Sequence, residues 1–184
     1  MQRRSLLAAL AALPLAALAQ RVAAALPKTM DGVRTLQAGW RELLAAGTQV
    51  PEPGDRLELP DAEWKKRLTR LQYEVLRREG TERAGTSPLD GEKRAGVFAC
   101  AGCGLPLFTS AMKYDSGSGW PSFFTTIPGA FGTRRDNKLI FMARTEYHCI
   151  RCGGHHGHVF DDGPPPTGLR YCNNGVALTF IPKG

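Results

Sequence analysis

Five cysteines are the residues of this 184-residue chain best suited to chemistry, and four of them come as two copies of one unit. Cys100-Ala-Gly-Cys103-Gly104 and Cys149-Ile-Arg-Cys152-Gly153 each set two thiols two residues apart, followed by a glycine that permits a tight turn. Two such turns supply four soft ligands in the tetrahedral arrangement that zinc favours. Two local disulfides, a redox pair or a four-cysteine iron site would use the same residues. The matching glycines favour a closed zinc site of four thiolates. With all four positions filled by protein, such a zinc would be structural.

The fifth cysteine, Cys172, sits in Arg170-Tyr-Cys-Asn-Asn174. A thiol becomes a nucleophile as its thiolate, which a nearby cation favours. Arg170, His155 and His158 are the available cations, and Asn173 and Asn174 could hold a polar oxygen or a water. The alternative is a buried structural thiol on a strand leading to Val176, Leu178 and Phe180.

The elements that must position these groups are mostly short. Val33, Leu36, Trp40, Leu43 and Leu44 recur at helical spacing and predict a helix over Asp31–Ala46, capped by Asp31 and ended by Gly47. Residues 47–60 carry Pro51, Pro53, Gly54 and Pro60 without apolar periodicity and read as a linker. A second helix is predicted from Asp61 to about Glu79, with Trp64, Leu68, Leu71, Val75 and Leu76 on one face and Gly80 as its stop. Beyond Thr81 come β-prone runs bounded by turn residues: Val97–Ala99, Leu139–Ala143, Val159–Phe160 and Ala177–Ile181. Twenty-one Gly and thirteen Pro fit a turn-rich chain. The expected fold is mainly β (α+β): small antiparallel sheets closed by a four-cysteine zinc site, with the N-terminal helices packed on them.

Residues 1–19 read as an export signal: Arg3 and Arg4, an apolar run from Leu6 to Leu18, then Ala17-Leu-Ala19 as a cleavage site. The paired arginines resemble a twin-arginine signal. The run is short for a membrane span, so no stable span is expected after its removal, and the product is placed in the periplasm or outside the cell. The organisation expected is 1–19 signal, 20–60 helical extension and linker, and 61–184 main domain. The formal charge of +7 falls to +5 without Arg3 and Arg4 and is dispersed, which argues against a nucleic-acid partner.

From about Asp61 to Pro182 the chain resembles the B-type methionine sulfoxide reductases, the peptide-methionine (R)-S-oxide reductases. The resemblance is carried in order by Trp64–Arg77, Gly80-Thr-Glu-Arg83 and the first Cys-x-x-Cys with Pro106-Leu-Phe108. Ser116-Gly-Ser-Gly-Trp-Pro-Ser-Phe123, Arg144-Thr-Glu146 and the second Cys-x-x-Cys follow, then His155-His-Gly-His-Val-Phe160 and Gly168-Leu-Arg-Tyr-Cys172. The resemblance implies that Cys172 is the nucleophile toward the sulfoxide sulfur. It assigns His155, His158 and Asn174 to the polar cluster that serves the sulfoxide oxygen, and Trp120 to the surface against which the S-methyl packs. Phe160 would wall the same pocket, and Arg170 would favour the thiolate. Cys100, Cys103, Cys149 and Cys152 would hold one zinc.

The implied substrate is methionine-R-sulfoxide, free or in oxidised proteins, and the implied intermediate is a sulfenic acid on Cys172. Relatives often resolve it with a second cysteine just before Gly-Trp-Pro-Ser-Phe, where this chain has Ser118. An external thiol, such as a thioredoxin-like protein, is therefore expected to reduce the Cys172 sulfenic acid directly in a monomeric enzyme. His156 stands where many relatives have Leu, and is expected at the surface or the rim of the site. A non-catalytic zinc-ribbon binding module and a thiol–disulfide exchanger are the rival readings.

Overall fold

The computed structural model describes residues 25–136 and 144–184. The signal sequence expected over 1–19 lies outside these residues, as does the strand expected over Leu139–Ala143. Among the described residues, no helix is long and apolar enough to cross a membrane.

Among the described residues, three α-helices precede nine strands. α1 spans Met30–Ala38, α2 Asp61–Arg67 and α3 Arg70–Arg78. Both helical expectations need correction. The first helix ends at Ala38 and continues as a 3-10 turn over Gly39–Leu43. Its cap is Thr29, whose hydroxyl accepts the Gly32 N–H, so Asp31 lies inside the first turn. The second predicted helix is two. Leu68 is extended, and Thr69 starts α3 with a reciprocal capping box: Thr69 Oγ1 accepts from Gln72 N, and Gln72 Oε1 from Thr69 N. Those two local bonds replace the helical ladder and turn Leu68 into the core, while Leu71 is left exposed. The chain leaves α3 through Glu79 in a left-handed conformation, one residue before Gly80.

β1 (Gly96–Cys100), β2 (Pro106–Thr109) and β9 (Leu178–Pro182) form an antiparallel sheet in the order β2-β1-β9. The second sheet holds β3 (Lys113–Tyr114), β4 (Ser122–Phe123), β5 (Phe131–Asp136), β6 (Arg144–Cys149), β7 (His155–Phe160) and β8 (Arg170–Asn173), in the order β3-β4-β8-β7-β6-β5. Apolar residues join them: Phe108 stacks on Phe123 at 3.9 Å and Phe98 meets the same ring edge-on at 5.2 Å. This is the mainly β fold expected, with α3 packed against β7.

The segment over residues 47–60 is packed down on the two Cys-x-x-Cys turns. Leu57 N donates to Arg151 O at 2.9 Å, Pro51 lies against Gly104, and Leu57 and Leu59 pack on the core that also takes in Val33.

Candidate active site and thiol cluster

The two faces of the six-stranded sheet carry different chemistry. Side chains alternate along a strand, so Tyr147, Cys149, Tyr171 and Phe123 share the core face. The opposite, polar face carries a cross-strand row set by the register: Tyr114 opposite Ser122, Ser122 opposite Cys172, Cys172 opposite His158, His158 opposite Glu146, and Glu146 opposite Arg134.

His155 and His158 are three residues apart and would point to opposite faces of a regular strand. The register of β7 against β6 shifts between Tyr147 and His148, leaving His156 as the extra residue of a bulge. The bulge returns His155 to the polar face, where its ring lies 5.5 Å from that of His158. Gly157, beside the bulge, lets β8 approach: a Cβ there would come within 1.9 Å of the Cys172 carbonyl.

Glu146 organises the histidines. It accepts from His155 Nδ1 at 2.8 Å and His148 Nδ1 at 3.0 Å, and pairs with Arg134 Nε at 3.1 Å. Burial pushes its carboxyl up, but the two imidazoles and the guanidinium outweigh burial and hold it at about 2. A carboxylate can only accept, so Nδ1 of His155 carries the proton. Nε2 is left buried and without a hydrogen-bond partner. His158 Nε2 bonds Asp136 at 2.8 Å, and Arg144 pairs with the same carboxylate oxygen at 2.9 Å. Burial pushes the His158 pKa down against the pull of Asp136.

Cys172 is half-buried. Burial raises its pKa, while the Arg170 charge and the polar Ser118 side chain lower it in part, so the resting group is a thiol. Arg170 is also engaged elsewhere: it forks onto Asp162 with bonds of 2.7 and 2.8 Å and lies 4.4 Å over the Phe160 ring. Ser118 further bonds Ser116 at 2.8 Å, and Ser116 bonds Ser122 at 2.7 Å.

Trp120, in the loop before β4, donates its indole N–H to Glu82 O at 3.1 Å. Glu82 N in turn donates to Asn174 Oδ1 at 2.9 Å, and Asn174 Nδ2 donates to His156 O at 3.0 Å. Both polar ends of the Asn174 side chain are thus bonded to backbone. The buried Glu82 carboxylate accepts from Gly175 N, and from Val176 N at 3.0 Å.

The other four cysteines gather at one end of the sheets. Each turn repeats the same bonds: Gly104 N to Cys100 O at 2.7 Å and Gly153 N to Cys149 O at 2.8 Å, with both glycines left-handed. All four Sγ atoms lie within 4.8 Å of one another, with Cys100–Cys152 at 3.7 Å and Cys103–Cys149 at 3.5 Å. These separations are far too long for disulfides, whose sulfurs sit about 2.05 Å apart. They suit a tetrahedron with metal–sulfur bonds of about 2.3 Å, whose edges are about 3.8 Å. The four thiols can hold a metal ion.

The SelR domain family matches residues 68–182. Peptide methionine sulfoxide reductase MsrB of Agrobacterium fabrum is 52% identical over 123 residues, covering 66% of this chain and 90% of the relative. The MsrB of Thiobacillus denitrificans is 50% identical over 123 residues (67% and 93%), and that of Methanosarcina barkeri 50% over 124 (67% and 87%). The chain belongs to the MsrB family.

On this MsrB domain, Cys172, His155, His158, Phe160 and Arg170 share the polar face. Trp120 is tied to that assembly through Glu82, and Asn174 braces its edge from below. Four residues that sequence reasoning gave no part in the site belong to it. Glu146 fixes His155, Asp136 fixes His158, Asp162 engages Arg170, and Glu82 links Trp120 to Asn174. Glu146, a carboxylate in the matched Arg144-Thr-Glu146 block just before the second Cys-x-x-Cys, was a readable signal. Asp136 and Asp162 became visible only through the register and the turn. His156 is the correction: it is fully buried on the core side, with Nε2 3.4 Å from Cys100 Sγ, and not on the rim. The bulge tucks it under the sheet, and burial pushes its pKa down to about 3.

Proposed function

We propose that the chain reduces methionine-R-sulfoxide, free or within oxidised proteins, to methionine. The observation that carries this reading is the row on the polar face: a half-buried Cys172 directly across from His158, with His155 locked behind it by Glu146. The names of relatives about half identical to this chain support it.

Cys172 passes its proton to His158, and its Sγ attacks the sulfoxide sulfur to form a sulfur–sulfur bond. His158 returns the proton to the sulfoxide oxygen. The hydroxyl then moves to Sγ as both its bond and that of Sγ to the methionine sulfur break, so methionine leaves reduced by two electrons and Cys172 is a sulfenic acid. An external dithiol, from a thioredoxin-like donor, then gives up two electrons and two protons; water departs and Cys172 is again a thiol. Arg170 steadies the thiolate, while burial, aided to a lesser degree by Asp162, keeps the resting group protonated. The indole of Trp120, held by Glu82, takes the S-methyl group, and Phe160 closes the side of the pocket. Asn174 and Glu82 hold Trp120 and β8 in register with each other.

One zinc on Cys100, Cys103, Cys149 and Cys152 would clamp the two sheets' ends without an open position for chemistry. The leader over residues 1–19 supports export to the periplasm or beyond, where the enzyme, acting as a monomer, would repair oxidised exported proteins.

The test is incubation with resolved R and S sulfoxides and a small dithiol. Conversion of the R form alone is expected, abolished in Cys172→Ser with zinc retained. No turnover, or preference for S, would overturn the reading.

A further inference from the structure

His156 does no work in the proposed reaction, yet it is the most deeply buried imidazole of the chain, at 0% exposure. Its ring is fixed edge-on to Phe131 at 5.5 Å and stacked over Tyr147 at 6.4 Å. Tyr147 is held in turn by its hydroxyl bond to Asn173 Oδ1 at 2.9 Å. Packed in this way, His156 aims Nε2 at Cys100 Sγ from 3.4 Å, within reach of an N–H···S bond, while Nδ1 has no hydrogen-bond partner. The imidazole is not among the four mutually close ligand atoms, so it stands outside the first coordination sphere.

We propose that His156 is an outer part of the metal centre, a dedicated N–H donor to the Cys100 thiolate. The inference rests on the four cysteines holding zinc. Four thiolates around one divalent cation leave a net charge of −2 in a buried site, and each sulfur then seeks donors. Arg77 and Arg151 place guanidinium groups on the carbonyls of Cys152 and Cys103, at 2.8 and 3.1 Å. His156 serves the sulfur itself. A thiolate can only accept, so the contact fixes the proton on Nε2 and makes the ring a donor. The N–H stabilises the Cys100 thiolate against protonation, which keeps the sulfur available to the metal, and it slows oxidation of that sulfur. That matters in a protein whose substrates are products of oxidation.

Zinc content of the unaltered full-length chain is measured first; one zinc per chain is expected, and a zinc-free chain overturns the metal reading and this inference with it. Zinc transfer to a chromophoric chelator is then timed for the wild type, His156→Leu and His156→Gln. Outer-shell losses weaken metal sites by about 10-fold or more, so His156→Leu should release zinc about 10-fold faster. His156→Gln, which keeps an N–H in place, should stay close to wild type. Equal rates for wild type and His156→Leu, or equal acceleration in both variants, would overturn the proposal. Nitrogen NMR of the unaltered zinc-loaded protein gives a reading that needs no variant. The Nε2-protonated tautomer with a slowly exchanging proton is expected, and the Nδ1-protonated form excludes the bond.

Discussion

Ser122 sits directly opposite Cys172 across β4 and β8, and Ser118 is tied to it through Ser116 by hydrogen bonds of 2.8 and 2.7 Å. The loop before β4 and strand β8 thus already hold a side chain in the place where a resolving cysteine would act. Exchange of one atom should create that function. Ser118→Cys is expected to form a 118–172 disulfide on exposure to sulfoxide substrate, detected as a thiol pair lost in titration and restored by dithiol. Wild-type enzyme given the same substrate without reductant should instead show one sulfenic acid per chain by dimedone trapping. A persistent free thiol at both positions in Ser118→Cys would contradict the geometry.

Arg170 and Asp162 act on Cys172 with opposite signs, the cation lowering and the anion raising its pKa. Removing the cation by Arg170→Met should move the alkylation profile of Cys172 to higher pH. Asp162→Asn should move it to lower pH, because the freed guanidinium is no longer neutralised. Iodoacetamide rates from about pH 6 to 10, measured on metal-loaded protein, decide this. Shifts in the same direction would show that the pair does not set the thiol.

Glu146 links the site to acid stability. Its carboxyl titrates at about 2 in the fold against an ordinary 4.5. A depressed carboxylate contributes stability that is present above the ordinary value and lost as pH falls from about 4.5 toward 2. Urea unfolding across that window should show a steeper loss for wild type than for Glu146→Gln. Parallel curves would mean that the histidine contacts are not maintained.

The break between α2 and α3 depends on Thr69. Thr69→Ala removes one arm of the capping box, at a cost of about 1 kcal/mol, read as a lower denaturant midpoint at unchanged slope. If stability is unaffected, the box is not what separates the two helices.

Much of the site was legible from residue types and spacing. The repeated Cys-x-x-Cys-Gly units announce four converging thiols, because a left-handed glycine after each pair is a local requirement met by local sequence. Helix existence was legible for the same reason, but helix ends were not. The Thr69–Gln72 box lies inside an unbroken apolar pattern, and there side-chain capping overrode periodicity. His156 was misplaced because a departure from the Leu of many relatives was read as a sign of exposure, and nothing in the sequence shows where a bulge will fall.

Taken alone, the chain determined the inventory: four clustered thiols, one thiol apart from them, two histidines near it and the MsrB pattern that joins them. Those are matters of residue chemistry and short-range spacing. Only the tertiary structure decided which face each group occupies and which acid governs it. The bulge at His156 sends His155 to the Cys172 side and His156 to the thiol cluster. The register of β5 to β8 brings Asp136 and Glu146 to the histidines. Pairings of that kind depend on strands far apart in sequence, and a shift of one residue would reverse every side chain involved.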